Sequence, residues 1–298
     1  MKTSLLLLLL WGQAATAAEL LVEKYAGFGQ LILTQFVTAP FPHVSRTKGH
    51  QYKEEFFPVE KHYSDRTVAL FVPNGFRPTK RVDFVIHFHG WRNNVAGTLQ
   101  NYELIEQLSA SGKNAILIVP EGPKDAPDSS GGKLEDDDGF KRFMAEALEV
   151  SKARDLITKD SDLGRVVLSG HSGGYRVISS IIERGGLIPQ IREVWLFDAL
   201  YGQTEKFLTW SGKTNSRLLN IYTDNGGTKL RTEEMMATLE KQGTHFLRTT
   251  DQAVVISELK TNAFIFLHTD LTHNDVVAKR KTFLQFLKTS FLADCETD

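Results

Sequence analysis

Short apolar runs punctuate this chain, each closed by turn residues and most followed by a stretch of helical period. Residues 82–88 (VDFVIHF), 115–119 (AILIV), 165–169 (RVVLS), 194–197 (VWLF), 218–222 (LLNIY) and 263–267 (AFIFL) are short and rich in β-branched or aromatic side chains. That is the pattern of buried strands. Residues 30–38 (QLILTQFVT) alternate enough for a first, edge strand, and residues 66–72 form a second, closed by Pro73-Asn74-Gly75. Amphipathic helices are expected over 95–109, 139–156, 175–184, 232–242 and 276–292, where apolar side chains recur at helical spacing. Between strand and helix lies a loop, 123–138, rich in Gly, Pro, Ser and Asp. Loops of that length inside compact domains are uncommon and often functional. Strands that are apolar throughout and alternate with helices predict an α/β fold, a mostly parallel central sheet with helices on both faces. In such sheets ligands meet the carboxyl ends of strands, so the residues just past each strand deserve weight.

Composition narrows the picture in three places. The 298 residues suffice for one sizeable core. Lys and Arg (35) balance Asp and Glu (36) with no basic stripe, so nucleic acid is not an expected partner. The start of the chain reads as an export signal: Lys2, the apolar run 5–11, then Ala15-Thr16-Ala17 with small residues at the positions that precede cleavage. Residues 1–18 are therefore assigned to a signal peptide and 19–298 to a single catalytic domain, with no membrane span after cleavage. Cys295 is the single cysteine, which rules out an internal disulfide. An exported chain without disulfides fits a bacterial periplasm or secreted fraction.

The chemistry centres on Gly170-His171-Ser172-Gly173-Gly174, between the strand 165–169 and the helix 175–184. A buried strand, a Gly-x-Ser-x-Gly turn and a helix are the context of a nucleophile elbow, which forces the serine into a strained conformation and lifts its hydroxyl above the sheet. Ser172 is the expected nucleophile; the plain alternative is a helix-capping serine. Other strand ends carry His89-Gly90-Trp91, Asp198, Asp224, His268 and His273. A carboxylate at Asp198, next to the apolar run 194–197, costs several kcal/mol unless it is paired, which is a reason to suspect a role. The pair His87 and His89 has metal-like spacing, but no further ligands follow at useful positions, so no metal is expected. No nicotinamide, flavin or haem signature is present, and no cofactor is expected.

In chain order these residues run His-Gly loop, Ser, Asp, His. The chain resembles α/β-hydrolase-fold serine hydrolases of the esterase and lipase type, on the two stretches GHSGG and HFHGW and the late histidine. That resemblance implies His273 as the base, with His268 its competitor. It places the acid at Asp224, with Asp198 as the alternative on an earlier strand. It implies an oxyanion hole from the backbone N–H groups of Gly173 and Trp91, on a loop opened by Gly90, with Arg92 beside it as a candidate substrate ligand. The implied activity is cleavage of carboxylic esters through a Ser-His-Asp triad and an acyl-enzyme. A peptidase or amidase acting on cell-wall or peptide substrates would use the same triad. A non-catalytic binding protein on this fold is the reading from another class. The expected partner is a small-molecule or cell-envelope ester or amide.

Overall fold

The computed structural model describes residues 15–212 and 216–295. Most of the segment assigned to an export signal, residues 1–14, lies outside them. The described strands are β1 (Gly29–Gln35), β2 (His50–Tyr52), β3 (Glu55–Phe57), β4 (Thr67–Pro73), β5 (Arg81–Phe88), β6 (Ala115–Pro120), β7 (Asp162–His171), β8 (Ile191–Phe197), β9 (Arg217–Thr223), β10 (Leu247–Thr250) and β11 (Phe264–Thr269). Nine of them form one sheet in the order β1-β4-β6-β5-β7-β8-β9-β11-β10, while β2 and β3 pair as a separate hairpin. β1 and β4 run antiparallel at one edge, and every pairing from β6 to β10 is parallel. This is the mostly parallel sheet expected from the strand pattern.

The apolar runs are continuous because each strand feeds two cores. Along β5, Phe84, Ile86 and Phe88 join the core on one face and Val85 the core on the other. β8 divides the same way, Val194 and Leu196 against Trp195 and Phe197. Successive strand side chains point to opposite faces, so a sheet covered on both sides needs apolar residues at every position. The helices Gly139–Ala153 and Tyr175–Arg184 cover the first face; Val95–Asn101, Leu104–Ser109 and Thr282–Thr289 cover the second.

Several boundaries depart from the periodicity. The expected helix 95–109 is broken at Glu103, which adopts a left-handed conformation with φ 48°. The expected closing helix 276–292 is helical only over Thr282–Thr289, because Lys281 at φ 53° interrupts it. Polar or short elements were not visible as periodic segments: the helix Ala17–Tyr25, the β2–β3 hairpin, the helices Thr204–Ser211 and Ile256–Thr261, and β10. The loop 123–138 is tied down. Its Asp128 accepts from Arg46 at 2.6 and 2.9 Å and from the Tyr63 hydroxyl at 3.2 Å, and residues Gly132–Glu135 form one tight turn.

Successive connections leave the centre of the sheet in opposite directions: β5 leads to β6 on one side, β7 to β8 on the other. The crevice beyond the carboxyl ends of β5 and β7 is therefore the topological switch point, the place where open α/β sheets bind ligands.

Candidate active site

β7 ends at His171, and Ser172 follows at φ 53°, in the left-handed region. A non-glycine residue there costs about 1–3 kcal/mol and persists only when its surroundings hold it. The flanking glycines do that. A Cβ on Gly170 would lie 2.7 Å from Ile178 Cδ1, and one on Gly174 would lie 2.7 Å from the Phe88 carbonyl oxygen. Only glycine lets the turn press against its own helix and against β5 at once. The chain then makes one tight turn over Ser172–Gly174 and enters the helix Tyr175–Arg184.

The carboxylate beside His273 is Asp198, not Asp224. His273 Nδ1 lies 2.6 Å from Asp198 Oδ2. Asp198 is fully buried at the end of β8 and also accepts from the Thr223 N–H at 3.2 Å, the Thr223 hydroxyl at 2.9 Å and the Thr228 hydroxyl. Burial alone would raise its pKa; the hydrogen bonds from His273, Thr228 and Thr223 outweigh it and hold the carboxyl below its ordinary value. An ionised carboxylate only accepts, so Nδ1 carries a proton, and in the neutral ring the lone pair is on Nε2. That is the tautomer a general base needs.

Asp224 stands outside this cluster. Its half-exposed carboxylate pairs with Lys229 Nζ at 2.8 Å and His268 Nε2 at 3.1 Å. The reason is register. Thr223, the last residue of β9, turns its hydroxyl to Asp198, so the next residue points away. His268 is thereby engaged with Asp224 and with the Tyr222 ring, 5.3 Å away. Asp270 pairs with Arg280, and Asp275 accepts from the Thr272 hydroxyl at 2.8 Å.

Tyr201 lines the same cleft as Ser172 and lies beside His273. Its ring lies 6.4 Å from that of His273, and its hydroxyl donates to the Gly226 carbonyl at 2.5 Å. Burial, then the Asp198 charge, push its phenol up to about 12, with a hydrogen bond from Ser172 acting the other way. Tyr201 therefore stays protonated. Its place three residues after Asp198 was the available sequence signal.

The loop after β5 closes over the serine. A Cβ on Gly90 would fall 2.6 Å from Ser172 Cβ and 3.0 Å from the His171 carbonyl oxygen, so Gly90 presses on the elbow itself. Its carbonyl receives His89 Nδ1 at 2.8 Å. In a trans peptide C=O and N–H point in opposite directions, so this contact turns the Trp91 N–H away from the His89 ring. His89 Nε2 faces Glu121 Oε1 at 3.1 Å, with the Gly122 nitrogen 3.0 Å away. Burial would lower the His89 pKa, yet Glu121 and the Gly90 carbonyl raise it above its ordinary value. His87, its neighbour in the HxH pair, faces the Ser169 hydroxyl at 2.8 Å instead. Among the described residues no cluster of three or more His, Cys, Asp or Glu is placed to hold a metal. Arg92 leaves the site: its guanidinium pairs with Glu55 at 3.0 Å and lies over the Phe57 ring.

If Ser172 is a nucleophile, a Gly90→Ala change is expected to lower turnover about 100-fold, because one methyl group must displace either Ser172 or the loop, and misplacement by about 1 Å can cost that much. Steady-state kinetics beside a thermal melt checks this; turnover within threefold of the parent would mean the loop does not bear on the reaction.

Above the serine lies a cleft of about 240 Å³ lined by Trp91, Ser129, Ser172, Gly173, Tyr175 and Tyr201. The Trp91 indole N–H donates to Ser129 Oγ at 2.7 Å, and Tyr52 packs edge-on against the same indole at 5.1 Å. Ser129 comes from the loop 123–138, and Tyr52 from the hairpin.

No protein-family model matches the chain, and no curated protein matches it. Solved structures do. A mutant of the feruloyl esterase module from Clostridium thermocellum, complexed with sinapinate, superposes with a TM-score of 0.54 at 12% identity, covering 89% of this chain and 88% of that one. The substrate-bound fluorophosphonate-binding serine hydrolase F of Staphylococcus aureus gives 0.51 at 10% identity, over 89% and 100%. The fold is the α/β-hydrolase fold. A ferulic acid esterase from Anaeromyces mucronatus, in complex with ferulic acid, gives 0.50 at 14% identity, over 89% and 91%. On the α/β-hydrolase scaffold the strand ends that converge here are those of β5, β7 and β8 and the loop after β11.

Proposed function

We propose that the protein is an exported serine hydrolase that cleaves carboxylic esters through an acyl-enzyme. The observation that carries this reading is the 2.6 Å contact between His273 Nδ1 and buried Asp198, beside a serine held at positive φ. Ser172 Oγ attacks the ester carbonyl and its proton passes to His273 Nε2. Asp198 stays ionised and stabilises the imidazolium. The N–H groups of Gly173 and Trp91 receive the oxyanion. His273 then protonates the departing alcohol, and a water deprotonated by His273 releases the acid and frees Ser172.

The acyl group suggested by the cleft is flat and aromatic. Trp91, Tyr175 and Tyr201 wall it, and aromatic faces favour offset or edge-on ring contacts. Two of the solved structures of similar fold are ferulic acid or feruloyl esterases, which agrees with that choice of first substrate. Export rests on the leader-like residues 1–18; no helix among the described residues is long and apolar enough to cross a membrane.

A fluorophosphonate probe tests the reading. The folded protein is expected to take up one equivalent, located on Ser172 by peptide mass spectrometry. Absence of label on folded protein would point to a binding module, and labelling with turnover of amides but not esters would move the substrate class to amides.

A further inference from the structure

We propose that His171 is a positioning residue for His273, acting through the backbone, and that Tyr102 makes it able to do so. This rests on the reading of Ser172, His273 and Asp198 as a triad.

His273 sits in the connection after β11, outside regular structure, so nothing in the sheet ladder holds its backbone. Its ring is pinned by Asp198, but one contact at Nδ1 leaves the ring free to swing about that bond. The second attachment comes from the residue before the nucleophile. His171 Nε2 lies 2.8 Å from the His273 carbonyl oxygen, and the two rings are 4.5 Å apart between centroids. A carbonyl oxygen only accepts, so His171 Nε2 must carry a hydrogen.

The rest of the proton pattern follows. Burial first, then the nearby His273, push the His171 pKa down to about 4, so the ring is neutral. A neutral imidazole with hydrogen on Nε2 has a lone pair on Nδ1. The Tyr102 hydroxyl lies 2.8 Å from that atom and therefore donates to it. The Tyr102 oxygen in turn receives Asn93 Nδ2 at 3.4 Å. Every donor in the chain from Asn93 through Tyr102 and His171 to the His273 carbonyl points the same way. The other neutral tautomer would set two acceptors against each other at Nε2, and the Tyr102 hydroxyl would have to turn from donating to accepting at Nδ1.

The chain also ties the elbow to the base. His171 is covalently adjacent to Ser172, so the strand end that carries the nucleophile also fixes the loop that carries the base. His171 is buried and does not line the cleft, so it acts on His273 and not on substrate. The break in the helical segment at Tyr102–Glu103 falls at the residue that reaches His171.

The test compares His171→Leu, His171→Gln and Tyr102→Phe with the parent, first established as active on an ester and labelled at Ser172. His171→Leu removes the donor and is expected to lower kcat roughly 10- to 100-fold with KM within about twofold, as a misplaced catalytic group does. His171→Gln places an amide N–H the same number of bonds from Cβ and is expected to recover most of that loss. Tyr102→Phe deletes one oxygen and releases the tautomer, with a several-fold loss in kcat expected. The far-downfield proton of the His273–Asp198 hydrogen bond is expected to weaken or shift in His171→Leu and to return in His171→Gln, which a general loss of packing would not produce. Should His171→Leu not fold, Tyr102→Phe and His171→Gln carry the comparison. A kcat within twofold of the parent in Tyr102→Phe with the downfield proton unmoved, or His171→Gln falling as far as His171→Leu, would overturn the proposal. An inactive, unlabelled parent would overturn the triad itself.

Discussion

Ser172→Ala protein is expected to fold as the parent does and to hydrolyse short-chain nitrophenyl esters roughly 10⁵- to 10⁶-fold more slowly, the scale on which loss of a triad nucleophile is felt. The expectation is that large because nothing else in the cleft can replace the serine. The Tyr201 phenol, pushed up to about 12, stays protonated and is committed to the Gly226 carbonyl. The Ser129 hydroxyl accepts from the Trp91 indole, and among the described residues no histidine stands beside it as one stands beside Asp198. The change deletes one oxygen at a part-exposed position and leaves the flanking Gly170 and Gly174 contacts in place, so a melt close to the parent's should accompany the loss. Turnover within tenfold of the parent would place the nucleophile elsewhere.

The second large effect separates two carboxylates. Asp198→Asn is expected to lower kcat by roughly 10³- to 10⁴-fold, whereas Asp224→Asn should change it less than about twofold. An amide at 198 has one acceptor oxygen where the carboxylate has two, and the Thr223 N–H and both threonine hydroxyls already compete for it. Its NH₂ group turned towards His273 would favour the tautomer with the hydrogen on Nε2, which cannot take a proton from serine. Asp224 holds only the half-exposed Lys229 and His268, and exposed pairs of this kind contribute little. Equal losses in the two variants, or a larger loss at 224, would reverse the assignment. Circular dichroism on both proteins excludes unfolding as the cause.

Much of this site was legible beforehand. The strand-turn-helix around Ser172 was visible because its two glycines and its apolar flanks are local features, and local sterics dictate them. His273 was placed by its position after the last strand. The suspicion attached to Asp198 came from a carboxylate in an apolar setting, and the structure resolves it into three supporting donors and a histidine. Asp224 does not reach His273 for a reason of register: Thr223 and Asp224 are one residue apart, and a strand end sends them to opposite sides. No property of the dipeptide says which side faces the histidine. Arg92 turns away from the cleft because a long side chain beside it can turn outwards, and the Glu55 that draws it belongs to a hairpin of three-residue strands too short to show a period.

From its order of residues alone, the chain specifies an α/β sheet, the strand ends at which chemistry can occur, and the serine on its strained turn. These depend on periodicity and backbone sterics within about ten neighbouring residues. Contacts between residues far apart in the chain settle the rest: Asp198 with His273, 75 positions away; His89 with Glu121; Trp91 with Ser129; and His171 between Tyr102 and the His273 carbonyl. Each is a hydrogen bond whose partners meet only once the sheet has brought its carboxyl ends together, and direction and distance at that meeting point decide which carboxylate faces His273 and which side chains wall the cleft.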